Sequence, residues 1–415
     1  MDRRKFVQHS AGVVGAAALA RHGRSLEAVV PIAGAVAPVA RITDQERLAR
    51  IEKARKLMTD NGIGAMFLEG GSSLLYYTGV HWGNSERPFG AVIPAKGDLA
   101  WIAPAFEEMR ARELIKFSND VRVWQEDESP YALIAQIVRD RGAATGKIGF
   151  EERVRFFIFD GVRQELPQAT FVSATPITAG GRIYKSPAEI ALLQRANDIT
   201  LQAIAQSLTT LREGMTQHEL AANVSAATHK LGADDVDDAL VIFGKYTAFP
   251  HGSIQLQQLR EGDVVLIDAG CKLDGYTSDI TRTTVFGKPT QRQRDIWDLE
   301  KRAQAAAFKT AQIGAPCESV DAAARKVITG AGFGPGYKVP GLPHRTGHGI
   351  GLDGHEWTNF VLGNKTPLAP GMCFSDEPTI AIYGEFGIRL EDCLHITENG
   401  PKFFTGQAES IEHVA

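Results

Sequence analysis

The sequence predicts a protein of mixed α/β (α+β) class in two domains, on three observations. A chain of 415 residues exceeds what one ordinary hydrophobic core serves. Residues 43–180 alternate short helical and strand patterns, the signature of a self-contained α/β unit. From residue 186 onward, long amphipathic helices alternate instead with antiparallel-looking strands. The expected division is 1–40 as leader and tether, 41–184 as the N-terminal domain and 185–415 as the C-terminal domain.

The first element is a leader. Asp2-Arg3-Arg4-Lys5-Phe6-Val7-Gln8 forms a basic head before an apolar run from Ala11 that ends in Ala18-Leu19-Ala20. A basic head, an apolar stretch and an A-x-A end predict a secretory signal. The paired arginines followed by Phe6 and Val7 resemble the twin-arginine export signal, which implies an exported, periplasmic or extracytoplasmic protein. A second small-residue stretch, Ala28 to Ala40, reads as the tether. No stretch reaches the roughly 18 to 20 apolar residues of a spanning helix, so no membrane insertion is expected once the signal is removed.

In the N-terminal domain, Thr43-Asp44-Gln45-Glu46 opens a helix with Leu48, Ile51 and Leu57 on one face. Ala65-Met66-Phe67-Leu68 reads as a buried strand, and residues 89–93 and 99–103 pair across Ala95-Lys96-Gly97-Asp98 as a hairpin. Residues 107–117, 131–141 and 156–166 read as helices, alternating with strands near 121–124 and 147–150. This half holds no cluster of metal-ligand types, which assigns it a scaffold or oligomer role.

The C-terminal domain begins at Ser186-Pro187-Ala188-Glu189, a helix start with proline at the first position. Ile190, Leu193, Ala196, Ile199 and Ile204 mark its buried face, and Gly214-Met215-Thr216-Gln217 ends it and caps the next helix. No internal repeat is visible by inspection. A net charge of −4 with no long basic run argues against nucleic acid or acidic lipid as a partner. Four cysteines in so long a chain make no disulfide scaffold; Cys271, Cys373 and Cys393 read as small core residues on strands.

Every candidate chemical group falls in this second half. Val264-Val265-Leu266-Ile267-Asp268-Ala269-Gly270 is a buried strand with a carboxylate near its end, and eleven residues later Ser278-Asp279-Ile280 delivers a second. Two carboxylates on adjacent buried strands repel unless a cation sits between them. His344-Arg345-Thr346-Gly347-His348-Gly349-Ile350-Gly351 is followed by Leu352-Asp353-Gly354-His355-Glu356, three histidines among glycines that let backbone approach a ligand. Glu377, in Phe374-Ser375-Asp376-Glu377-Pro378, and Glu391, fourteen residues later, sit in apolar strand contexts, where glutamate is rare unless paired or metal-bound. Singly, each is as well explained as a cap, turn or surface ion pair. Together, Asp268, Asp279, His348, Glu377 and Glu391 give four carboxylates and one imidazole, a donor set for a pair of borderline-hard cations and not for a thiolate zinc site.

In this order and these contexts the residues closely resemble the prolidase, aminopeptidase P and methionine aminopeptidase family with the pita-bread fold. The resemblance is most specific over 240–400, and 43–180 are similar to its creatinase-type N-terminal domain. It implies a metallopeptidase that cleaves Xaa-Pro bonds in a dipeptide (prolidase) or a short peptide (aminopeptidase) with two divalent ions. Manganese is the implied metal, with cobalt, iron and zinc also suited to the ligands. Position by position, it implies that Asp268 chelates one metal, Asp279 and Glu391 bridge both, and His348 and Glu377 complete the second. His251, in Phe249-Pro250-His251-Gly252, matches a histidine near the scissile group; His344 and His355 match two that bind substrate and polarise its carbonyl; Arg389 matches an arginine supporting the carboxylates. The implied mechanism is attack by a metal-bridging hydroxide, with Glu377 moving the proton. Phe249, Tyr383 and Phe386 are candidate pocket walls, and Trp82 lies in a loop that related oligomers reach into a neighbour's site, a homodimer or homotetramer being implied.

One stretch departs from the pattern. The family commonly reads Glu-Pro-Gly-x-Tyr where this chain has Glu377-Pro378-Thr379-Ile380-Ala381, with Tyr383 two residues further on. That keeps open a metal-dependent lyase or small-molecule hydrolase on the same scaffold. A catalytically dead binding module is opposed by the retention of all five ligand types.

Overall fold

A computed structural model describes residues 39–236 and 239–415; the expected leader and most of its tether lie outside the described residues. The N-terminal domain is built on a six-stranded sheet in the order Val121–Trp124, Ala100–Pro104, Gly90–Pro94, Ile63–Glu69, Lys147–Phe150, Thr170–Ser173. Ile63–Glu69 pairs antiparallel with Gly90–Pro94 and parallel with Lys147–Phe150, so helices must return the chain across the sheet. Helix Asp44–Asn61 starts where Thr43 accepts from the Glu46 amide and stops at Gly62, whose φ of 67° suits glycine. Helices Pro130–Asp140 and Phe156–Glu165 cover the sheet face carrying Phe67, Val92 and Ile148.

The opposite sheet face is covered by helix Asp44–Asn61 of its own domain through Ile51, Ala54 and Met58, and that cluster continues into the next domain. Leu68, Ile93 and Trp101 share one apolar cluster with Leu192, Leu193 and Ile199 of the next domain's first helix, and with Cys271, Tyr276, Ile350 and Cys373 beyond it. Each such aliphatic side chain contributes roughly 1.5–3 kcal/mol by leaving water.

In the C-terminal domain, helix Pro187–Leu208 opens with a reciprocal capping box between Ser186 and Glu189. The order long helix, turn, fourteen-residue helix, strands then occurs twice: Pro187–Leu208 with Gln217–Lys230, and Gln291–Thr310 with Cys317–Gly330. The sequence hid this repeat because the paired helices share order and length but few residues, and the Thr216–Glu219 capping box of the second helix has no counterpart at Pro316. Three strands, Leu240–Phe243, Val264–Ala269 and Ile280–Val285, form one antiparallel sheet. A five-stranded sheet runs Glu356–Phe360, Gly347–Gly349, Cys373–Asp376, Asp392–Thr397, Gly400–Phe403, beside a hairpin of Thr379–Ile382 and Phe386–Arg389.

Boundaries move by a residue or two, and one expected helix shrinks: 107–117 becomes a short 3-10 turn followed by Glu108–Leu114. Helix Ser72–Thr78 has no periodic signal, since SSLLYYT is a weak helix former held by packing of Leu74, Tyr76 and Tyr77. The four cysteines are buried thiols. Among the described residues, no helix is long and apolar enough to cross a membrane.

Candidate metal centre

Strand pairing brings the acidic residues together. Ile280 lies opposite Ala269 and Thr281 opposite Asp268, so Asp268 and Asp279 reach the same spot from neighbouring strands. Glu391 joins them through paired backbone bonds between Thr281 and Glu391, which stitch the two sheets at this point. His348 sits mid-strand in Gly347–Gly349, and Glu377 follows strand Cys373–Asp376 beside it. A Cβ on Gly347 would stand 2.1 Å from the Ser375 carbonyl, so glycine there allows the two strands to close. The result is two triads with donor atoms within 4.8 Å of one another: Asp268, Asp279 and Glu391, and His348, Glu377 and Glu391. Glu391 belongs to both. A third triad joins Asp279, His348 and His355.

Electrostatics mark the centre as built for cations. Burial, then the charges of Asp268 and Glu377, push the Asp279 carboxyl well above its ordinary range. Burial and the same neighbours, Asp279 first, do likewise to Glu391. Burial raises Glu377 to about 7 although Arg389 opposes it. One oxygen of Glu391 is buried and has no hydrogen-bond partner, while the other accepts from Thr281 Oγ1 at 2.7 Å. Such an orphan costs about 1–3 kcal/mol unless a ligand takes it up, and divalent cations fit this donor set.

The imidazole is prepared in the same sense. His348 Nδ1 faces the Gly349 carbonyl at 3.1 Å; a carbonyl only accepts, so the proton is on Nδ1 and the Nε2 lone pair is left available. That Nε2 lies 3.3 Å from Glu377 Oε1 and 3.7 Å from Asp279 Oδ2. Burial, then His355, lower its pKa to about 3, which keeps it neutral. Arg389 binds Asp268, donates to Thr281 Oγ1 at 3.0 Å and to the Pro250 carbonyl at 3.0 Å. Behind the ligand strands, Gln304 Nε2 donates to the Asp376 and Leu390 carbonyls at 3.3 and 3.2 Å, tying the segments that carry Glu377 and Glu391.

Three histidines that are not in the two triads sharing Glu391 surround the centre. His355 is exposed, its ring 3.9 Å from that of His348, and Arg345 Nη2 donates to its Nδ1 at 3.3 Å. A guanidinium only donates, so the His355 proton sits on Nε2. His344 donates from Nδ1 to the Arg345 carbonyl at 2.7 Å and its Nε2 accepts from Thr379 Oγ1 at 3.0 Å. Burial lowers its pKa to about 4. His251 is exposed and near enough for its charge to lower both His344 and His355.

The aromatic candidates divide. Phe249 and Tyr383 form an exposed stacked pair with centroids 5.5 Å apart, two residues from His251. Phe386 is buried in the domain core. Trp82 stacks on Phe89 at 4.0 Å under Arg110, packed in its own domain. Sequence reasoning assigned no role to Arg345, Thr379, Gln304 or Glu356. Only Glu356 carried a signal, as an acid next to His355 in a glycine-rich turn.

Comparison with known proteins agrees with this geometry. The model of Metallopeptidase family M24 matches residues 191–398, and that of the Creatinase/Prolidase N-terminal domain matches 50–184. An Xaa-Pro dipeptidase of Lactobacillus helveticus is 32% identical over 359 residues, covering 86% of this chain and 96% of the relative. The crystal structure of a prolidase from Thermococcus sibiricus superposes with a TM-score of 0.80 at 31% identity, covering 87% of this chain and 97% of the other. Dipeptidase PepE from Mycobacterium ulcerans gives 0.82 at 30%, covering 89% and 98%. The creatinase-type N-terminal domain and the pita-bread catalytic domain implied by the motifs are both present. With its metal-ligand types gathered at one point and both domains matched, the chain belongs to metallopeptidase family M24.

Proposed function

We propose that this metallopeptidase hydrolyses Xaa-Pro bonds in dipeptides or short peptides and works with two divalent cations. The observation that carries the proposal is the pair of donor triads sharing Glu391, four carboxylates and one neutral imidazole at one point. The printed activity of the Lactobacillus helveticus relative, an Xaa-Pro dipeptidase, supports the substrate class. Asp268 would hold one ion, Asp279 and Glu391 would bridge, and His348 and Glu377 would hold the other. Bound there, the ions would supply Lewis acidity towards the scissile carbonyl and a water of lowered pKa. Manganese is the metal we propose.

The chain's own groups then have defined tasks. His355, with its proton on Nε2, is a neutral donor for the oxygen that gains charge, a contribution typically worth about 3 kcal/mol. Glu377 would accept and return the proton, the role its place in the family pattern implies. Arg389 fixes the Asp268 carboxylate and Thr281 the Glu391 carboxylate. His251 would serve the leaving side, and the stacked Phe249–Tyr383 pair, with Phe249 near it in sequence, would meet a proline ring, which offers an apolar body and no amide N–H. The departure at 379–381 removes none of this: Thr379 anchors His344 and Ala381 pairs with Gly341 through backbone bonds. That argues for the peptidase over a lyase.

The test is metal analysis of the purified protein, with hydrolysis of Gly-Pro and Gly-Pro-Ala followed before and after chelation and re-addition of metal. Two ions per chain and metal-restored cleavage are expected. A metal-free protein that cleaves Gly-Pro at the same rate sinks the proposal. The ratio of the two substrates separates dipeptidase from aminopeptidase. We also propose a homodimer or homotetramer, and export by the twin-arginine route on the strength of Arg3, Arg4 and the apolar run behind them.

A further inference from the structure

The loop that carries His355 is anchored by two carboxylates beside the histidine, and the cations on them come from outside the catalytic sheets. Glu356 Oε2 accepts from Lys185 Nζ at 2.9 Å, and its Oε1 accepts from Arg182 Nε at 3.2 Å and from the Leu352 and Asp353 amides at 2.9 and 3.3 Å. Asp353 accepts from Arg182 Nη2 at 2.5 Å, from Arg153 Nη1 at 2.8 Å and from Ser72 Oγ at 2.5 Å. Ser72 and Arg153 belong to the N-terminal domain, while Arg182 and Lys185 lie where the chain passes between domains. A Cβ on Gly351 would stand 2.6 Å from the Glu356 carboxylate, so the turn is shaped to let that carboxylate fold beneath it.

Arg182, Lys185 and Glu356 are buried, yet His355 itself is exposed. An exposed ring two positions after one clamped acid and one before another takes its direction from them. We infer that Arg182 is a positioning residue for catalysis: by bridging Asp353 and Glu356 it fixes the His355 loop to the N-terminal domain and aims the imidazole at the metal centre. The charge is needed to pair two acids, but the aim comes from the planar fork, which lysine does not supply. This inference rests on the peptidase reading for its kinetic arm and not for its structural one.

The experiment is a double-mutant cycle on the metal-loaded full chain, comparing wild type, Arg182→Lys, His355→Ala and the double variant on Gly-Pro. Arg182→Lys is expected to lower kcat by on the order of tenfold, with metal content and KM nearly unchanged. In the His355→Ala background the same substitution is expected to cost nothing further. An equal loss in both backgrounds, or an unchanged kcat in Arg182→Lys, overturns the inference. Where Arg182→Lys does not fold, Asp353→Asn removes one arm, leaves Glu356 with both cations, and carries the same expectation. The second readout is the His355 ring signal in a histidine-labelled NMR spectrum, assigned by its loss in His355→Ala. It should shift or broaden in Arg182→Lys, and an unmoved signal overturns the inference even if the wild type proves inactive on Gly-Pro, a result that would sink only the peptidase substrate.

Discussion

Replacing Glu391 by Gln should move stability in opposite directions with and without metal. In the metal-free protein, Glu391 is a carboxyl with one buried, unpartnered oxygen among Asp268, Asp279 and Glu377. The amide is nearly the same shape, can still accept from Thr281, and brings N–H donors into a cluster of carboxylates. Relief of one buried unsatisfied group is worth about 1–3 kcal/mol. For a catalytic domain of this size that raises the melting temperature by roughly 2–10 °C. With metal the sign reverses. Each ion at a hundred times its dissociation constant stabilises the wild type by about 2.7 kcal/mol, and loss of a bridge forfeits at least one such term. Turnover should fall by more than the ten- to hundredfold that loss of an outer partner costs. Thermal unfolding with chelator and with added metal, alongside metal analysis and the rate on Gly-Pro, reads all three effects. A chelated variant less stable than chelated wild type, or one that still binds two ions, would refute the argument that this carboxylate serves both sites.

Acid should weaken the clamp at Glu356. Burial would raise that carboxyl, but Lys185 and Arg182 outweigh it and hold it down from 4.5 to about 2. A folded-state pKa below the unfolded one contributes stability above pH 4.5 that is lost as pH falls from 4.5 towards 2. Unfolding free energies at steps of pH should therefore slope down through that window, and Glu356→Gln should flatten the slope while costing about 3–5 kcal/mol at pH 6, where buried Lys185 loses its carboxylate partner and Arg182 keeps only Asp353. Thr379→Val should leave His344 Nε2 without its donor, lowering stability by about 1 kcal/mol and raising KM on Gly-Pro; unchanged kinetics would remove Thr379 from the site. Exchange of Arg3 and Arg4 for Lys should hold the protein in the cytoplasm, and normal export would refute the leader reading.

The candidate metal centre was legible because its residues are chemically conspicuous. Asp268, Asp279, Glu377 and Glu391 are acids in strands that otherwise read as core, and burial without a counter-ion is too costly to be idle. Helix starts were legible for a similar reason, since the Ser186–Glu189 capping box is local. What sequence could not give was partnership across distance. Arg182 is one arginine among many until Asp353 and Glu356 meet it, more than 170 residues on. Thr379 reads as a defect in a motif until its hydroxyl is found on His344. Phe386 and Tyr383 are equally aromatic on paper, and only packing sends one inward and the other to solvent.

The apolar cluster that runs from the N-terminal sheet into helix Pro187–Leu208 has a practical result. The seam near residue 185 looks in sequence like a place to cut, yet a fragment starting there would begin life with Leu192, Leu193, Ile350 and Tyr276 bare to water. Such a truncated enzyme would be sticky before it was inactive. Tinkering that wants the catalytic half alone must first repaint that wall with polar side chains.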